Sequence, residues 1–313
     1  MGLLGRRKGK TRAGLFMFSG VMQYVVLSGV PGNYKLEQCL EVPLDMGGAQ
    51  TDLFSDPEKL AANLKRMKQS AGGKWAPEVV VGIQSRDVLI RTVEMPVMDL
   101  KETKNAFRFD FDKFFPIPVD EATYDLSPID YPAAADAQSN SHYLAAATRT
   151  RSMENLLYTA KSVGLNIVGV EPGSVAAVRC MMGPVPPQGG SLCVIAGAAS
   201  SIAVVCYHDN GVIYRNIGQA FAVEEITPAF VDTFSRDIQS TLNFAAAQLW
   251  NFSCSAILIA GYGAMHASMI KQSVEEFTSL PVVIINPWEL WGVKNPPEQT
   301  YGFEIPMGLA LRA

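Results

Sequence analysis

The sequence predicts an α/β protein in which one unit is used twice, with a separate segment inserted between the copies. Three observations carry that expectation. Near the start, Gly14–Phe18, Met22–Leu27 and Tyr34–Val42 are apolar or alternating runs separated by Ser19-Gly20 and by Pro31-Gly32-Asn33. About 180 residues later the pattern returns as Leu192–Ala196, Ile202–Tyr207 and Val212–Ile217, with Gly197–Ser201 and Asp209-Asn210-Gly211 as turns. Such runs read as strands of two antiparallel meanders, and their recurrence points to duplication. Helix and strand signals then follow each meander and extend its sheet.

In the first copy Ser55-Asp56-Pro57-Glu58 opens a helix as a capping box with proline near its start. Leu60, Leu64 and Met67 share one face of it, Gly72-Gly73 ends it, and Glu78–Gln84 is the next strand. In the second copy Phe230, Phe234, Ile238 and Leu242 recur every four residues along a long helix. Strand Ala256–Ala260 then leads through Gly261-Tyr262-Gly263 into another helix and strand Pro281–Ile285.

The segment between the copies does not repeat. Val88–Met95 reads as a strand, and Asp99-Leu100-Lys101-Glu102 caps a helix with Phe107, Phe111 and Phe114 along one side. Pro116 and Pro118 end that helix. Strands Ala122–Ile129 and His142–Thr148 follow, then a helix capped by Ser152 and stopped by Gly164, then strand Asn166–Val170. The order β-α-β-β-α-β matches a ferredoxin-like insert. Pro132–Asn140 reads as an exposed, mobile loop, and Pro184–Gly190 as the link between halves. The expected division is a basic tip at 1–12, a first half at 13–85 and 172–186, an insert at 86–171, and a second half at 187–313.

Composition narrows the function. Of 313 residues 48% are apolar and 18% charged, a globular balance, and a net charge of −4 without a basic stripe argues against a dedicated nucleic-acid binder. Cys39, Cys180, Cys193, Cys206 and Cys254 are odd in number and mostly set in apolar strings, which suits reduced, buried thiols. His142, His208 and His266 are scattered, so no metal site is expected. Neither a phosphate-binding P-loop nor a nucleophile elbow occurs. The longest apolar stretch, Leu192–Tyr207, is interrupted by Ser200 and Ser201 and falls short of the ~20 residues of a membrane span. The run after Arg6, Arg7, Lys8, Lys10 and Arg12 is too short for a signal peptide, so a soluble protein with a solvated basic tip is expected.

Several strings, taken in order, resemble the PilM proteins of type IV pilus assembly. They are Phe114-Phe115-Pro116-Ile117-Pro118-Val119-Asp120-Glu121, Val170-Glu171-Pro172, Arg236-Asp237-Ile238-Gln239-Ser240-Thr241-Leu242, Ile257–Ala264 and Met307–Arg312. The resemblance spans nearly the whole chain. It implies an actin-like fold of two RNase H-like halves around a nucleotide cleft, with the insert as subdomain 1C. Only Gly218 to about Thr227 is available for subdomain 2B, which is therefore expected to be shortened. It also implies a cytoplasmic protein, peripheral at the inner membrane, that binds the N-terminal tail of a PilN-like membrane protein. A related scaffold role exists in type II secretion.

The cleft departs from the family pattern. Actin-like ATPases carry a carboxylate in each phosphate-binding hairpin, one for Mg²⁺ and one for the attacking water. Here Phe16-Met17-Phe18-Ser19 stands where apolar and small residues around an Asp are implied, and Ile195-Ala196-Gly197 stands at the second hairpin. Gln23 replaces a frequent Lys. Neither Phe nor Ile can ligate Mg²⁺, so hydrolysis is not expected, and no cofactor is required. A sugar-kinase-like phosphotransferase is disfavoured on the same ground. An ATP-binding, slowly or non-hydrolysing adaptor is the alternative. Its candidate cleft residues are Ser19, Gly20, Gly197, Ser200, Ser201, Gly261 and Gly263, although the glycines and serines equally suit tight turns. For the partner's tail the resemblance points to a groove between first half and insert, and Arg86, Arg91, Phe114, Phe115 and Pro116 are the candidate contacts. The same phenylalanines could serve as the insert's own core, a reading that suits Phe107 and Phe111 best.

Overall fold

Alternating burial sets the first sheet. The computed structural model describes residues 10–18, 20–45, 53–84, 87–133, 140–221 and 225–312. Along β1 (Lys10–Phe18), Ala13, Leu15 and Met17 enter one core while Phe16 and Phe18 face the opposite side. Strand β2 (Val21–Val30) pairs antiparallel with β1, and β3 (Asn33–Pro43) with β2. Helix α1 (Pro57–Ser70) buries Leu60, Leu64 and Met67, as its periodicity requires, and Asp56 caps it by accepting the Lys59 N–H at 3.0 Å. Strand β4 (Glu78–Ile83) then runs parallel to β1.

The insert comprises β5 (Leu89–Pro96), α2 (Leu100–Phe114), β6 (Ala122–Pro128) and β7 (Asn140–Arg149), with antiparallel sheet order β5-β7-β6. Phe107, Phe111 and Phe115 pack with Leu126 and Tyr143 to give it a core of its own. Residues 134–139 of the expected loop lie outside the described residues.

The expected ferredoxin-like unit is corrected here. Its last helix, α3 (Thr150–Ser162), and last strand, β8 (Ile167–Pro172), belong to the first half. Strand β8 pairs parallel with β4, Val81 opposite Val170, and Leu156 and Ala160 of α3 share a core with Leu60 and Leu64. A strand joins the sheet whose free edge and apolar face it completes, so the insert ends at Arg149 and not at residue 171. Helix α3 also begins two residues before the expected cap, with Arg149 at its N-cap.

Helix α4 (Gly173–Met182) leads to the second half: β9 (Gly190–Ala196), β10 (Ile202–Tyr207), β11 (Asn210–Asn216), α5 (Pro228–Gln248), β12 (Cys254–Gly261), α6 (Ala267–Thr278) and β13 (Val282–Ile284). The β10–β11 turn falls at His208-Asp209, because Tyr207 pairs with Asn210, one residue earlier than the sequence suggested. The sheet orders β3-β2-β1-β4-β8 and β11-β10-β9-β12-β13 are the same topology written twice. Between β11 and α5 there is no further element among the described residues.

Helices α7 (Pro287–Leu290) and α8 (Glu304–Ala310) complete the chain and bind the halves together. A side chain on Gly308 would collide with the Ala176 carbonyl, so α8 crosses α4 at a distance only glycine permits. The Trp291 indole donates to the Cys180 carbonyl at 2.8 Å, and Trp288 to Thr300 at 3.1 Å.

Candidate functional site

Among the described residues, two concavities stand out where the elements converge, one nearly filled and one open. The first sits between the halves, at the ends of β1 and β9 and the starts of α4 and α8. Its volume is about 110 Å³, whereas ligand pockets commonly hold roughly 300–1,000 Å³. The Phe16 ring is only 4% exposed and packs with Val80, Ala176 and Leu309. Phe18 stacks on it, with ring centroids 5.1 Å apart and planes at 24°. Side chains on Gly82 or Gly173 would come within 2.9 Å of the Phe16 ring, so these glycines make room for it. Ile195 lines the same space and belongs to the core beneath α4. The two positions where carboxylates are implied are thus parts of an apolar core.

The other cleft candidates divide. Gly197 and Ser200 line the cavity. Ser201 is fully buried, and its hydroxyl donates to the Gln219 carbonyl at 2.7 Å, which corrects its reading as a phosphate ligand. Gly261 has φ +92 and sits against the Ala196 backbone, and Gly263 packs on the Ala196 side chain; neither lines the cavity, so both are turn and packing residues. Gly20 (φ +84) is an exposed turn residue, and Ser19 lies outside the described residues. Gln23 is 1% exposed and spends its amide on Glu41 at 2.8 Å and the Gly302 carbonyl at 2.9 Å.

One acid does line the cavity, and no sequence motif pointed to it. Glu304, at the start of α8, is buried and accepts the Gly302 N–H at 3.0 Å. Burial pushes its carboxyl pKa up, partly offset by backbone N–H donors that include Gly302 and Gly261. A single buried carboxyl engaged by backbone amides does not reproduce a pair of hydrated magnesium ligands. No group of three or more metal-ligating side chains occurs among the described residues, and all five cysteines are free thiols.

The second concavity is a groove of about 1,400 Å³. The first half contributes Lys10, Arg12 and Tyr34, the insert Ser127–Asp130 and Leu144, and the second half Asp209–Gly211 and Tyr214. Lys10 and Arg12 share Glu78 at 3.4 and 3.1 Å, and the Arg12 hydrogen bond is the largest of the effects holding the Glu78 carboxyl below its ordinary pKa. Arg179 grips Glu171 with two bonds, 2.6 and 3.0 Å, and also donates to the Gly308 carbonyl. The Arg312 guanidinium lies 3.7 Å from the same carboxylate. Four cations paired with Glu78 and Glu171 leave this wall positive, Asp130 and Asp209 line the other walls, and Leu27, Val178, Met182 and Trp291 make the floor apolar. Such a groove can hold an extended segment, with its backbone carbonyls toward the cations.

The described residues among those expected to meet a partner lie elsewhere. Phe115 is 2% exposed and is a core residue of the insert, 4.9 Å from Phe111 by ring centroids, so its assignment as a contact is corrected. Phe114 is half-buried against the same core, Pro116 and Arg91 are exposed, and none of them lines the groove. Arg86 lies outside the described residues.

Known proteins place the fold. A chain of a PilM-PilN type IV pilus biogenesis complex aligns with TM-score 0.76 at 20% identity, over 96% of this chain and 98% of that one. The cytoplasmic domain of EpsL, an inner-membrane component of the type II secretion system of Vibrio cholerae, aligns at 0.51 with 10% identity, over 97% and 95%. A protein of Bacteroides thetaiotaomicron with an actin-like ATPase fold aligns at 0.51 with 9% identity over the full length of both chains. No curated protein matches in sequence. The family model described as type IV pilus assembly protein PilM matches residues 14–239, well over half the chain, and the protein belongs to that family.

Proposed function

We propose that the chain is a non-catalytic scaffold of a type IV pilus platform, and that its open groove takes the cytosolic N-terminal tail of a PilN-like membrane protein. The contrast between the two concavities carries this reading. The cleft that would serve a nucleotide is filled by Phe16 and Phe18, whereas the groove beside the insert is open, positive on one wall and apolar at its floor. Membership of the PilM family and the likeness to a chain of a PilM-PilN complex support the choice of partner. No described helix is long and apolar enough to cross a membrane, so the proposed place at the cytoplasmic face of the inner membrane is held through the partner. Titration calorimetry with a synthetic peptide of the partner's tail tests the proposal. Saturable binding that weakens when Arg12→Ala and Arg312→Ala are combined is expected; undiminished binding to that variant contradicts the groove assignment.

A further inference from the structure

One contact at the groove joins the insert to the half of the molecule with which it shares no chain crossing. Asn210, the first residue of β11, satisfies both backbone groups of Asp130, which lies just beyond β6. The Asp130 N–H donates to Asn210 Oδ1 at 2.9 Å, and Asn210 Nδ2 donates to the Asp130 carbonyl at 3.0 Å. A side-chain amide here does what a neighbouring strand would do. His208 Nδ1 lies 2.8 Å from Asp130 Oδ2, its ring stacked on Tyr207 at 4.2 Å. The residues on either side of Asp130, Ile129 and Tyr131, pack against the second half's core. A second tie lies on the same strand, where the Thr92 hydroxyl of β5 donates to the Val212 carbonyl at 2.6 Å.

These contacts do little for global stability. The Asp130 side chain is 64% exposed and that of His208 37%, and polar contacts this exposed to solvent contribute little. Their geometry matters more. Asp130 and Asn210 both line the groove, so the bonds between them fix the distance between two of its walls. His208 holds φ +52, a backbone conformation uncommon for residues with a side chain, at the turn that presents the hairpin.

We propose that the β10–β11 hairpin positions the insert wall of the groove, with Asn210 and His208 as positioning residues acting through Asp130. The inference rests on the groove being the site of the partner's tail. It gives the second half a task that requires no nucleotide: the binding site is incomplete without it.

The test uses the full chain, the tail peptide, and the variant Asn210→Ala. Amide exchange reads the latch directly, since the Asp130 N–H loses its acceptor. Exchange at Ile129–Tyr131 is expected to speed up by about tenfold, because a local opening no longer breaks a bond. Peptide affinity is expected to fall by about threefold to tenfold, the worth of one or two hydrogen bonds. The melting temperature should stay within about 2 °C, as for other surface substitutions. Asn210→Ala binding the peptide as tightly as the native chain overturns the positioning role. If the native chain itself does not bind the peptide, the tail reading fails instead, and unchanged exchange at Asp130 then independently overturns the latch.

Discussion

Phe16 shows how one residue type redirects a fold. A benzyl group cannot hold a metal, but it fills the space between β1, α4 and α8 and so contributes to the contact between the halves. Truncation to alanine removes a buried aromatic ring, which typically costs about 3–5 kcal/mol. Chemical denaturation of Phe16→Ala should show a loss of that order, and a loss under about 1 kcal/mol would mean the ring is not part of the core. Glu304 offers a separate check with a definite sign. Burial raises its carboxyl pKa, so the folded chain holds the proton more tightly than the unfolded chain. Stability from this group is therefore complete below the ordinary carboxylate range and is lost as pH rises through the raised value. The Glu304→Gln variant lacks that loss. Its stability relative to the native chain should rise with pH, and a pH-independent difference would contradict the assignment. These two residues also mark what sequence can reveal. The aromatic at Phe16, where the family resemblance implies an acid, is legible because a hairpin pattern fixes the position. Glu304 is not, since it reaches the cavity from the far end of the chain and belongs to no local motif.

Individual elements were largely legible because burial imposes its period on them. The faces of α1 and α2 match their apolar spacing, and Asp99 caps α2 by accepting the Glu102 N–H at 2.8 Å. The sheet to which an element belongs was harder to read. Nothing within α3 or β8 says that the partner of β8 is β4, before the insert, and not a strand of the insert itself. Phe115 departs from its expected place as a partner contact for a related reason. Although it precedes a proline, α2 ends with its backbone extended and the ring turned into the insert, against Phe107 and Phe111. Phe115→Ala should therefore cost about 3–5 kcal/mol as a core truncation. Arg91→Ala, on an exposed face, should stay within about 0.5 kcal/mol. Equal effects in thermal denaturation would contradict this division.

At the scale of the molecule the duplication was the strongest signal in the sequence, and the two sheets repeat one strand order. What could not be read was how the halves meet, because that depends on contacts between residues far apart in the chain. Helices α4 and α8 cross at a glycine, Trp291 ties α7 to α4, and the aromatic pair fills the space above them. In the proposed reading, the architecture that the family resemblance ties to a nucleotide cleft is here a rigid support for a peptide groove. Calorimetric titration of the native chain with ATP in the presence of Mg²⁺ tests that claim most directly. The account predicts no saturable heat up to about 1 mM nucleotide, and magnesium-dependent binding at about micromolar Kd would contradict it.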